Sequence, residues 1–420
     1  MPRTRLAVVL TALGTVVFLL AAFPGCKSDS GSTGVPTSIT VTGKVISGNK
    51  LPISNSAVVI TGRPATTTDA NGSFTVTDVT APYDLTVVSL KVSFTYRGLS
   101  RSDPTIVILL ADIPPNNATV SGTISGGGSF PLPANRVLNV SLSSPEVSVP
   151  ASLNITTGAY MANPYWAGGA TITMILRALQ WDNNAAGMPT TFVGYGEKTG
   201  VAITAGGTFA GQNIAMTNVS TQNISGTVIV PAALLLNNKS LSLAFPNNGN
   251  MTLGTEVGTA TAFTYGVPAI TGITLSVGAL AGSGGATSTA LKAGIAPGTT
   301  GIALTLPDLM ALSLPVNAAT GVTTTTPFSW TPLSSAIYQM TLYGPGNQPS
   351  YLVFTGGNSG TIPDLTALGL GLPKNTLYTW YITSYGPFAN IDAAAGTNGV
   401  FPQGDIIQSA SSQRTFTTAP

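Results

Sequence analysis

The chain has 420 residues, too many for one small domain and enough for about three or four. Only 7% are charged, against about 25% in ordinary soluble proteins, while 43% are hydrophobic and Gly and Pro number 48 and 30. That apolar content excludes a disordered chain; beyond the N-terminus no apolar run approaches the ~20 residues of a membrane-spanning helix, and what remains is the turn-rich, β-branched composition of an all-β protein.

Residues 1–25 read as a cleaved export signal. Arg3 and Arg5 precede an apolar run from Leu6 to Phe23, and Pro24 and Gly25 break it ahead of Cys26. Phe23-Pro24-Gly25-Cys26 resembles the bacterial lipoprotein lipobox, which implies that the Cys26 thiol carries a diacylglyceryl group. Pro24 stands where that pattern usually has a small residue. The polar stretch 26–37 then reads as a flexible tether between lipid and folded body. The expected location is the cell envelope, lipid-anchored, in the outer membrane at its periplasmic face or the cell surface.

Three later segments open alike, with Val41-Thr-Gly-Lys-Val45, Val120-Ser-Gly-Thr-Ile124 and Ile224-Ser-Gly-Thr-Val228. Each alternates as a half-buried strand does, and each has a central glycine. The glycines lie 79 and then 104 residues apart, so the segments are variable-length domains and not a solenoid. The first, 38–114, continues through Ala57–Ile60, the turn Asp69-Ala-Asn-Gly-Ser-Phe74, Tyr83–Leu90 and Thr105–Leu110. This order resembles the carboxypeptidase regulatory-like domain, a transthyretin-related seven-stranded sandwich, which implies an accessory domain without an active site. The second (115–218) and third (219–306) look like degenerate relatives of it.

The fourth segment, 307–420, differs. Phe328 and Trp330 fall on one strand face, Tyr338–Tyr343 forms the next strand, then come Leu372–Thr383 and Arg414–Thr418. It resembles a fibronectin type III domain. The resemblance implies that Trp330 is the core tryptophan, that Tyr378 is buried with its hydroxyl bonded to upstream backbone, and that Trp380 and Ile382 point inward. An insertion at about 386–410 departs from that family and leaves the pairing of the last strand open. The expected fold is therefore all-β, a tandem of β-sandwich domains (Ig-like or transthyretin-like, then fibronectin III-like) behind a lipoprotein signal peptide.

Charge and chemistry narrow the function. Of 16 basic residues Arg3 and Arg5 leave with the signal, so 14 face 14 acidic ones, a balance that does not gather nucleic acid. The chain has no histidine and one cysteine, which excludes Ser-His-Asp and Cys-His machinery and removes the commonest zinc ligand. Ser47-Gly-Asn-Lys50 and Lys198-Thr-Gly200 echo penicillin-binding enzymes, but Gly48, Asn49 and Pro52 mark a turn and not the helix start such a serine needs. Asp69 lacks the acidic twelfth position of a calcium loop, where Thr80 stands, so its motif reads as a hairpin with Asn71 and Gly72 left-handed. Tyr165, Trp166 and Trp181 are the candidate ligand-binding residues, either a flat platform for sugar stacking or core. No catalytic residue, metal site or cofactor is expected. The reading is a non-enzymatic structural or interaction scaffold, an acyl-anchored stalk of about four sandwiches meeting envelope proteins or polysaccharide. The alternative is a carbohydrate-binding or adhesion module using the second domain's aromatics.

Overall fold

The computed structural model describes residues 38–109, 114–401 and 404–420, so the export signal, Cys26 and the tether lie outside the described residues. Among those described, the regular structure is β apart from one turn of 3-10 helix, Thr366–Leu368, and a short α-helix, Ile391–Ala394. The strands build β-sandwiches, each with its own apolar core.

The first three sandwiches share one plan, and the shared glycine explains it. Ser38–Ser47 is the middle of a three-stranded sheet, antiparallel to Ser73–Thr80 and parallel to Thr105–Ile108. Thr119–Gly126 sits likewise between Ala159–Ala162 and the parallel Thr208–Phe209 and Ile214–Met216. Thr221–Ile229 lies between Ala262–Pro268 and the parallel Ile302–Thr305. In each register the central glycine faces an aromatic residue of the antiparallel neighbour: Gly43 faces Phe74, Gly122 faces Tyr160 and Gly226 faces Phe263. A Cβ on Gly43 would run into the Phe74 ring and lie 2.6 Å from the Pro104 carbonyl oxygen; one on Gly226 would lie 2.7 Å from the Phe263 ring. The ring fills the space a side chain would take, so glycine and ring are one packing unit. Gly226→Ala is expected to cost about 1–3 kcal/mol, read as a lower urea midpoint, because neither backbone nor buried ring can yield.

Asp69 Oδ1 accepts the N–H groups of Asn71 and Ser73, each at 2.8 Å, as expected for a turn. Of the two residues expected to be left-handed, only Gly72 is so, at φ 70°.

The fourth sandwich sets Leu312–Leu314, Phe328–Trp330 and Ser359–Gly360 against Ser350–Thr355, Ile337–Tyr343 and Leu377–Gly386, with the final strand split into Ile406–Ala410 and Arg414–Thr418. Trp330, Tyr378, Trp380 and Ile382 are buried. Phe328 meets Trp380 edge-on at 4.9 Å. The Tyr378 hydroxyl donates to the Pro349 carbonyl at 3.0 Å, pinning the chain just ahead of Ser350–Thr355.

The sandwiches are not a stalk in chain order. Residues 38–420 form one compact unit. Val92–Leu99 of the first sandwich pairs in parallel with Ser350–Thr355 of the fourth, and Tyr96 stacks on Phe354 at 4.6 Å across the seam. On the other side, Ile406–Ala410 pairs with Ala286–Ile295 of the third. One continuous sheet thus runs from the third sandwich through the fourth to the first.

The insertion at 386–410 makes the join to the third sandwich and reinforces the join to the first. Its helix, Ile391–Ala394, is capped by Asn390 Oδ1 accepting the Ala393 N–H. Ile391, Ala394, Ala395 and Val400 enter the core of the first sandwich, and Asp392 accepts the N–H groups of Ser100 and Arg101 at 2.8 and 3.2 Å. Asp405 binds Lys292 of the third at 2.7 Å.

Buried phenols tie this fold to alkaline pH. Burial pushes Tyr160, Tyr378 and Tyr385 up to about 12. A phenol held neutral by the fold contributes stability in full below its unfolded value near 10, and that contribution is lost as pH climbs toward 12. With no histidine in the chain, the urea midpoint is expected to stay flat from about pH 5.5 to 9 and to fall between about pH 10 and 12, together with delayed phenolate absorbance.

Candidate functional site

The expected aromatic platform does not form. Neighbouring residues on a strand point to opposite faces. Tyr165 and Trp166 share a two-residue strand paired with Asn116–Asn117, so Tyr165 is 44% exposed and Trp166 only 1%. The Trp166 indole N–H donates to the Gly169 carbonyl at 2.8 Å inside the second core. Trp181 is buried elsewhere: its indole N–H donates to Asn183 Oδ1 and its ring packs beside Phe192 in the core of the third sandwich. Of the three residues singled out, Tyr165 alone presents a face to solvent.

That face borders a groove of about 1040 Å³ to which all four sandwiches contribute. The first supplies the turn Ser47–Pro52 with Val107 and Leu109, and the second Glu146, Val147 and the stretch from Tyr165 to Gly168. The third supplies Asn247 and Asn248, and the fourth Thr397, Asn398 and Phe401. The Ser47–Pro52 turn closes through the Ser47 hydroxyl, which accepts the Leu51 N–H at 3.2 Å and so stays a turn element, as the sequence suggests.

Local chemistry fixes the groove's second wall. Glu146 Oε2 accepts the Gly168 N–H at 3.1 Å, and Asn116 Nδ2 donates to the Gly168 carbonyl at 2.8 Å. Asn247 and Asn248 turn the chain between Leu235–Phe245 and Gly249–Val257, both left-handed at φ 60° and 61°. Asparagine tolerates that region because its short amide bonds locally. The Pro246 carbonyl ahead of them accepts from the Arg177 guanidinium at 3.2 Å.

Among the described lining residues Glu146 is the one carboxylate and Lys50 the one cation. No group of three or more metal-binding side chains occurs among the described residues, and no helix there is long and apolar enough to cross a membrane. Sequence reasoning missed Leu109, Glu146, Asn247, Asn248, Asn398 and Phe401, which stand in four segments and meet only where the sandwiches pack together. Only Asn247-Asn248 carries a local signal, that of a tight turn.

This architecture defines an all-β protein of several β-sandwiches. No family model matches the chain, and no curated protein does. Among solved structures it is similar to a DUF3823 family protein from Parabacteroides merdae, at 12% identity over 40% of this chain and 92% of that one, TM-score 0.15. It is also similar to the FN1–FN3 domains of chicken CNTN1, at 10% identity over 74% of this chain and all (100%) of that one, TM-score 0.17. BcpA, the major pilin subunit of Bacillus cereus, matches at 10% identity over 58% of this chain and 88% of that one, TM-score 0.14. At these identities and scores the likeness says nothing of function.

Proposed function

We propose that the protein is a non-catalytic envelope scaffold, held to a membrane through a lipid on Cys26, that presents its fused sandwiches to other envelope components. The observation that carries this reading is the use made of the insertion at 386–410. Its helix completes the core of the first sandwich, and its strand extends the sheet of the third. Sequence that would otherwise form a loop at a domain end instead locks the body into a fixed frame.

The charges support the same reading, because two ion pairs sit at junctions between sandwiches. Arg177–Glu197 sits at the junction of the second and third sandwiches, and Lys292–Asp405 at that of the third and fourth. Arg136–Asp182 bridges two strands of the second, and the hydrogen bond from Arg136 holds the Asp182 carboxyl below its usual range. The first and last sandwiches fit the carboxypeptidase regulatory-like and fibronectin III-like readings, supported by the parallel outer strand of the one and the core around Trp330 and Trp380 of the other.

Labelling of the full chain with a radioactive fatty acid, followed by affinity capture from the membrane fraction, tests the proposal. The expected result is label lost in Cys26→Ser, release of that variant from the membrane, and envelope proteins among the captured partners. Unlabelled wild-type protein in the cytosol, or capture of polysaccharide with no protein partner, would overturn it.

A further inference from the structure

We propose that the groove where the four sandwiches meet binds a neutral oligosaccharide, with Tyr165 as the face on which one sugar ring stacks. The proposal goes beyond the scaffold reading and stands on four observations.

The first is chemical. A pyranose has C–H faces that pack on aromatic rings and an edge of hydroxyls that both donate and accept. The groove offers two half-exposed rings, Tyr165 and Phe401, each 44% exposed. Asn247, Asn248 and Asn398 stand among them, and an amide is a neutral side chain that both donates and accepts.

The second is charge. One carboxylate and one ammonium among the described lining residues leave no net field, which disfavours an anionic ligand and suits an uncharged one.

The third is rigidity. Tyr165 stands beside a buried Trp166 whose indole is hydrogen-bonded, and its strand pairs with Asn116–Asn117. The following Gly168 is held at both its N–H and its carbonyl. A ring fixed in this way loses little freedom when a ligand covers it. The asparagine turn opposite is tied through Pro246 to Arg177.

The fourth is size. A volume of about 1040 Å³ stands at the upper end of small-ligand pockets, room for several linked rings and not one.

Isothermal titration of the full chain with neutral hexasaccharides of the gluco, manno and N-acetylgluco series tests this, with an anionic heparin hexasaccharide and an unstructured peptide as comparators. Binding of at least one neutral series is expected. Tyr165→Ala should weaken it by about tenfold or more, as loss of a central aromatic anchor does. Asn248→Gly keeps the left-handed turn and should also weaken binding. Tyr343→Ala, an exposed ring outside the groove, should leave it unchanged, and circular dichroism should show each variant folded. The proposal is overturned if no neutral series binds, if Tyr165→Ala binds as the wild type does, or if only the anionic sugar or the peptide binds. Each of those results leaves lipid labelling and partner capture untouched, so the scaffold reading stands or falls separately.

Discussion

Glu197→Gln is expected to lower the stability of the body by about 2–3 kcal/mol, the cost of leaving a buried cation without its counter-charge where solvent reaches one side of the pair. Arg177 has a side chain only 2% exposed, at the junction of the second and third sandwiches. Its guanidinium pairs with Glu197 at 2.8 Å, donates to Ser143 Oγ at 2.6 Å and to the Pro246 carbonyl, and lies 4.7 Å over the Phe245 ring. Glutamine keeps the size of the side chain and removes its charge, while the cation stays buried. The double variant Arg177→Met, Glu197→Gln should therefore be more stable than Glu197→Gln alone, since methionine needs no counter-charge. Urea unfolding of the two variants decides the matter; equal or reversed midpoints would show that the pair contributes little.

Trp181→Ala should be costlier, about 3–5 kcal/mol by the usual cost of truncating a buried large ring. The strand Thr171–Asn183 is buried on both faces from Leu176 to Trp181: Met174, Leu176 and Ala178 serve the second core, while Leu179 and Trp181 enter the third. Loss of the ring opens a cavity at the joint between two sandwiches. Unfolding that stays a single transition at a lower urea midpoint is the expected result. An unchanged midpoint would mean that the two sandwiches do not depend on this contact.

Much of this fold is legible in the sequence. Period-two runs mark the strands, and the glycine at the centre of each opening strand marks three copies of one plan. Gly158-Ala-Tyr160 repeats the logic of Gly72-Ser-Phe74: a left-handed glycine, one residue, then the ring that lies over the opening glycine. A search for aromatics paired with those glycines would have aligned the second segment with the first.

The joins are a different matter. Nothing in the run Val92–Leu99 shows that its open edge is taken by a strand some 250 residues later, because pairing of backbone to backbone leaves no mark on side-chain type. The composition does hint at it. Thr86 and Thr95 share a buried hydrogen bond of 2.9 Å, and Ser384 and Ser409 bond to each other where the insertion meets its neighbours. Small hydroxyl side chains let such surfaces close, where separate beads would carry charge, which fits a chain only 7% charged. The groove was the least legible part. The rule that neighbours on a strand face opposite ways already told that Tyr165 and Trp166 cannot share a platform; which of them faces out depends on the register with Asn116–Asn117.

The central claim is that the first and fourth sandwiches share one sheet through Val92–Leu99 and Ser350–Thr355. Hydrogen–deuterium exchange of the intact chain, read on peptides covering these two strands, tests it most directly. Pairing across the seam predicts slow exchange of both strands, with Phe354→Asp accelerating both at once, since that ring stacks on Tyr96. Fast exchange of either strand in the wild-type protein, at the rate of a free edge, would contradict it.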